Sequence, residues 1–149
     1  MTTSTALLRA LVALNAKKFY LVTPYPEQVN KNECDFFHAN GVEISGVHTF
    51  NCRLSRDIGD ISPSRILGEL IEKKKAAAAA DCVLISCTGL RSFEIAEEAE
   101  RSIGKPIITS NMASLWVGLN HFGTKGTGMP RNALFEARSY ASPMTLARA

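Results

Sequence analysis

VLISCTGLRS, residues 83–92, carries a cysteine out of a very apolar run and into a small, polar turn. With Cys82 in front, the run CVLISC at 82–87 is short, continuous and bounded by turn residues. A strand buried on both faces of a parallel sheet reads this way. The flanks decide the fold class. Upstream, ILGELIEKKKAAAAA at 66–80 has helical spacing, with Ser62 or Ser64 as its cap, and alanine is the best helix former. Downstream, RSFEIAEEAERSIG at 91–104 reads as a helix closed by Gly104, followed by a strand in PIITS at 106–110.

Outward from there the alternation continues. KFYLVT at 18–23 reads as a buried strand, and a helix over about 27–39 ends at Asn40-Gly41. VEISGVHTF at 42–50 is a β-branched strand. Leu and Ala recur at helical spacing over about 5–15, with Thr3 or Ser4 as cap, and a last helix covers about 112–122. The polar segment 51–63 is long for a connection and reads as a functional loop. This pattern predicts an α/β fold, a flavodoxin-like, doubly wound parallel sheet of about four strands. The domain covers 1–122, and the Gly, Pro, Arg and Ser of 123–149 read as a loosely structured tail.

The chain has 149 residues, 46% hydrophobic and 21% charged, with a net charge of +3, which fits one soluble globular domain. Lys73, Lys74 and Lys75 form the main basic cluster and read as the wet face of a helix, so no nucleic-acid partner is expected. No signal peptide or membrane span is visible. Cys34, Cys52, Cys82 and Cys87 form no CxxC pair, and reduced thiols in a cytoplasm are expected. His38, His48 and His121 are scattered, so no metal site is expected.

In doubly wound sheets ligands gather at the carboxyl ends of the strands. Two stretches fall there: Pro24-Tyr25 after the first strand and SCTGLRS after the third. If a helix starts just beyond Cys87, the amides of Thr88, Gly89 and Leu90 point outward at its N-terminus and can cradle a carboxylate. The same field favours a thiolate, and Gly89 lets backbone approach a ligand closely. Cys87 would then be a proton donor beside a carboxylate. The plainer alternative, a core-packing thiol, is more frequent for a lone cysteine, and Cys82 at the strand start illustrates it. Tyr25 could donate its phenolic proton to a substrate carboxylate or be an ordinary loop residue. Only three residues separate Cys87 from Arg91, too few for a phosphatase loop, and no dinucleotide fingerprint is present.

Together, TTSTALLRALVAL, LVTPYPEQVN, FFHANGVEISG and VLISCTGLRSFEIAEEAERSIGKPIITSNMASLW resemble the aspartate/glutamate racemase superfamily. The branch they resemble is that of maleate cis-trans isomerase and arylmalonate decarboxylase, and SCTGLR followed by GKPIITSN is its specific mark. The resemblance implies one half of a two-domain, pseudo-symmetric fold with the active site between the halves. It implies Cys87 as the catalytic cysteine of the second half, Tyr25 as the carboxylate-holding tyrosine, and Thr88 and Gly89 as part of the cradle. Pro24 and Leu90 complete the expected substrate-binding set. It further implies a small dicarboxylate substrate, no cofactor, and isomerisation, racemisation or decarboxylation. Two departures stand out. The chain begins where the family's second half begins, and Leu54-Ser55 occupies the place where isomerase members often carry Asp-Asn. With one half only, the expected alternatives are an inactive, carboxylate-binding or scaffolding half, or a homo-oligomer that sets two copies face to face.

Overall fold

Four strands pair in parallel in the order β2-β1-β3-β4: β1 Lys18–Thr23, β2 Glu43–Thr49, β3 Cys82–Ile85 and β4 Ile107–Thr109. This computed structural model describes residues 1–124 and 127–137. The register sets Leu21 of β1 against Leu84 of β3, and Leu84 against Ile108 of β4. Between Lys18 and Thr23 at the ends of β1, and throughout β3, the inner strands are mostly apolar because they are covered on both faces; Phe19, Leu21, Val83, Leu84 and Ile85 are all buried. Each such side chain stabilises the fold by roughly 1.5–3 kcal/mol through burial.

The connections β1 to β2 and β2 to β3 cross the sheet in opposite directions. Right-handed crossovers therefore place α2 (Glu27–Ala39) and α4 (Pro63–Glu72) on opposite faces. α1 (Thr3–Ala13) packs along α6 (Ser110–His121), and α4 lies beside α5 (Ala96–Ile103). Phe37 of α2 meets Phe19 of β1 edge-on, with ring centres 4.8 Å apart. Thr2, one residue earlier than expected, caps α1 by accepting the Thr5 amide at 3.2 Å. Gly41 follows α2 with φ +74°, the left-handed turn that Asn-Gly predicts. The Asp81 carboxylate accepts the amides of Lys17 and Lys18 at 2.8 and 2.9 Å, which ties the starts of β1 and β3 together. Those same amides hold its pKa below the ordinary carboxylate range.

Three stretches differ from the sequence expectation. The alanine run does not extend α4, which stops at Glu72; Ala76–Ala79 form a short 3₁₀ turn. Here the turn into β3 overrides helix propensity, and Lys105 fastens it by donating to the carbonyls of Ala78 and Ala80 at 3.0 and 2.6 Å. The helix after Cys87 starts at Ala96, five residues later than 91. Finally, the segment 127–137 does not run loose. Leu134 of the one-turn α7 (Ala133–Glu136) is fully buried, and Asn132 donates to the Ile107 carbonyl at 3.1 Å. Residues 125–126 and 138–149 of the expected tail lie outside the described residues. Among the described residues no helix is long and apolar enough to cross a membrane.

Candidate active site at the carboxyl edge of the sheet

β1 connects toward one edge of the sheet and β3 toward the other, so their carboxyl ends form the switch point where a crevice opens. A cleft of about 490 Å3 lies there, lined by Tyr25, Ser86, Cys87 and Thr88 from the strand ends. α1 contributes Thr3, Ser4 and Leu7, α2 contributes Glu33 among others, and α6 contributes Ser110.

Tyr25 is held by its own backbone. The Thr23 hydroxyl donates to Asn30 Oδ1 and accepts the Tyr25 amide at 3.2 Å. The Tyr25 carbonyl in turn accepts Asn30 Nδ2 at 2.9 Å and the Thr49 hydroxyl. Thr23 and Asn30 are buried, so this network fixes where the phenol leaves the sheet. Cys87 is fixed from α6: its amide donates to Ser110 Oγ at 3.1 Å, and Asn111 Nδ2 donates to the Thr88 carbonyl at 3.1 Å.

One donor reaches the Cys87 sulfur: the Gly89 amide, at 3.3 Å. A donor placed in this way stabilises charge that develops on sulfur during reaction. Tyr25 lines the same cleft. Burial first, and then the nearness of Cys87, push the Tyr25 pKa well above the usual phenol range, so Tyr25 keeps its proton. Cys87 is largely buried at 8% exposed, yet it lines the cleft.

The expected cradle is rearranged. Because α5 begins at Ala96, its N-terminus does not follow the cysteine directly; the helix start that touches the Cys87–Thr88 turn is that of α6. The Leu90 amide is not turned outward but donates to the Cys87 carbonyl at 3.3 Å, and the Leu90 side chain is in the core. Gly89 spends its amide on the sulfur, and a Cβ there would meet Ile58 and the Cys87 sulfur at 3.5 and 3.6 Å, ordinary contacts. Pro24 is buried, and its carbonyl accepts the Cys52 amide at 2.7 Å. Of the six expected residues, Tyr25, Cys87 and Thr88 line the cleft, and Pro24, Gly89 and Leu90 do not.

Sequence reasoning missed Ser86, Ser110 and Glu33. Ser86 and Ser110 are buried polar residues, one within and one directly after apolar strand runs, a placement that signals a hydrogen-bonding task. Glu33 lies among Lys31, Asn32 and Asp35 and reads as helix surface, yet the Ser86 hydroxyl donates to its Oε1 inside the cleft. Burial raises the Glu33 pKa, and the Ser86 bond acts in the opposite direction. Among the described residues no three His, Cys, Asp or Glu side chains come together as a metal site.

A parallel sheet in 2-1-3-4 order, with a cysteine and a tyrosine sharing a crevice at its switch point, defines an α/β domain of the doubly wound class. The chain belongs to the arylmalonate decarboxylase family, whose model matches residues 1–135. It is 27% identical over 115 residues to an arylmalonate decarboxylase of Bordetella bronchiseptica, a match covering 77% of this chain and 48% of that protein. A maleate isomerase of Alcaligenes faecalis is 23% identical over 124 residues, covering 83% of this chain and 48% of the relative. A crystal structure of arylmalonate decarboxylase superposes with a TM-score of 0.76 at 25% identity, over 91% of this chain and 60% of the other. This chain therefore spans about half the length of the curated relatives it matches.

Proposed function

We propose that this chain carries the proton-donating half of a cofactor-independent isomerase or decarboxylase of small dicarboxylic acids. Cys87 is its catalytic cysteine, Tyr25 and Thr88 form its substrate-binding wall, and Pro24, Gly89 and Leu90 hold those residues in place. The meeting of Cys87, Tyr25 and Thr88 in one cleft at the switch point carries this assignment. In a decarboxylation the bond to the departing carboxyl group breaks as carbon dioxide leaves. Its electron pair remains on the α-carbon as an enediolate, and the Cys87 thiol protonates that carbon and becomes a thiolate. Tyr25, Thr88 and the α6 N-terminus would stabilise the charge on the remaining carboxylate. One thiol suffices for this sequence, whereas racemisation needs acid/base groups on both faces of the carbon, and so a cleft lined by one described cysteine favours decarboxylation.

The half-length match favours a second arrangement as well. Exposed Val29 and Phe36 flank the mouth of the cleft and suit a cover, which we take to be a second copy of this chain. Without a cover, the chain would be a carboxylate-binding half with no turnover.

The test is turnover of phenylmalonate and maleate by purified protein and by Cys87→Ala, over a range of protein concentration. Turnover that the substitution lowers by at least about 10²-fold supports the enzyme. A specific rate that climbs with concentration supports assembly of two copies. Turnover indifferent to the substitution removes Cys87 from the chemistry, and none in either protein leaves the binding half.

A further inference from the structure

The cleft is short of positive charge. Among the described residues no lysine, arginine or histidine lines it, while Glu33 does. Glu33 forms no ion pair among the described residues, although Lys31 two positions away pairs with Asp35 at 2.7 Å on the outer side of α2. Ser86 satisfies Oε1 of Glu33 from the strand end, and no described donor reaches Oε2, which is not sealed from solvent. A ligand with two carboxylates would therefore meet a third carboxyl group in a half-buried site, with no cation to balance the charge. Like charges at such range disfavour the ionised form, and the cheapest relief is a proton.

We propose that Glu33 enters the bound state as a neutral carboxylic acid and donates a hydrogen bond from Oε2 to a ligand carboxylate, so that each dicarboxylate bound takes up one proton. This rests on the dicarboxylate reading of the cleft and deepens it. Glu33 is then a binding residue that selects for the protonated state of the site. Burial already raises its pKa before any ligand arrives, which makes the uptake easier. Affinity falls as pH rises through the range in which free Glu33 loses its proton, by about tenfold per pH unit beyond it.

The other groups facing Glu33 are few. Tyr25 from the end of β1 stays protonated, Cys87 follows the end of β3, and Cys34 lies on α2 with its pKa raised, first by burial and then by the charge of Glu33. α1 and α6 offer only Thr3, Ser4, Leu7 and Ser110, with the Met1 amino group just ahead of α1.

The experiment is titration calorimetry with succinate, a dicarboxylate that can neither isomerise nor lose carbon dioxide by this chemistry. It is run from about pH 5 to about pH 8.5, in buffers of different ionisation enthalpy. The native protein is expected to take up close to one proton per succinate where free Glu33 is ionised. Glu33→Gln, whose amide mimics the neutral acid, is expected to bind with no uptake and nearly flat pH dependence. Ser86→Ala removes the bond that lowers the Glu33 pKa, so it shifts the midpoint to higher pH; this variant decides if Glu33→Gln fails to fold.

Uptake that survives Glu33→Gln belongs to another group and overturns the proposal. So does a native protein that binds succinate without proton uptake, or does not bind it near pH 6. Absent turnover with proton-linked binding present would sink the enzyme and leave Glu33 in its role. Turnover with proton-independent binding would do the reverse.

Discussion

Cysteines stand at the start of β3 and just past its end, in opposite circumstances. Cys82 begins the strand with no exposed surface, and burial pushes its thiol pKa up to about 12. Cys87, five residues on, lies in the turn that leaves the sheet, receives the Gly89 amide and lines a cleft with Tyr25. The amino acid is therefore not what sets the two sites apart. At the amino end of β3 the thiol meets only core. Past the carboxyl end the chain has to turn, and the turn brings the side chain to a crevice beside the start of α6.

The sharpest way to break this contrast is alkylation with iodoacetamide near pH 8, followed residue by residue by mass spectrometry. A thiol with a pKa of about 12 is ionised only to roughly one part in 10⁴ there, so Cys87 should react about 10²–10³ times faster than Cys82 in the folded protein. Equal rates would place both cysteines in the core. A smaller effect isolates the phenol. Tyr25→Phe keeps the ring and removes the hydroxyl proposed to donate to the ligand carboxylate, so dicarboxylate binding should weaken by roughly tenfold, the worth of one hydrogen bond to a charged group. The fold should survive, because the Thr23, Asn30 and Thr49 network holds the Tyr25 backbone and not its hydroxyl. Unchanged succinate affinity in Tyr25→Phe would leave the phenol without a binding role.

How far the sequence was legible follows the same division. The sheet was readable because each strand is a short apolar run between turn residues, and the alternation with helices admits few topologies. The meeting of Tyr25, Cys87 and Thr88 in one crevice was readable because all three fall at carboxyl ends of neighbouring inner strands. What escaped were places where distant contacts outvote local pattern. Residues 91–95 have helical composition, but buried Leu90, Ser92 and Ile95 draw that stretch into an irregular wrap before α5. Residues 127–137 look loose because their anchor is remote: Glu100 of α5 accepts the Ala133 amide at 2.8 Å. Glu33 escaped because a glutamate among charged helix neighbours gives no sign of facing inward.

All of this depends on a carboxylate ligand lying against the Cys87 sulfur. The most direct measurement is the rate of Cys87 alkylation with and without saturating phenylmalonate or maleate, with Cys34 and Cys52 as internal references in the same digest. Occupancy of the cleft predicts that Cys87 is protected by tenfold or more, a factor that follows from about 90% site occupancy, while the two reference thiols keep their rates. If all three cysteines react at the same rate with ligand as without, the cleft is not a carboxylate site and the assignment of Cys87 is wrong.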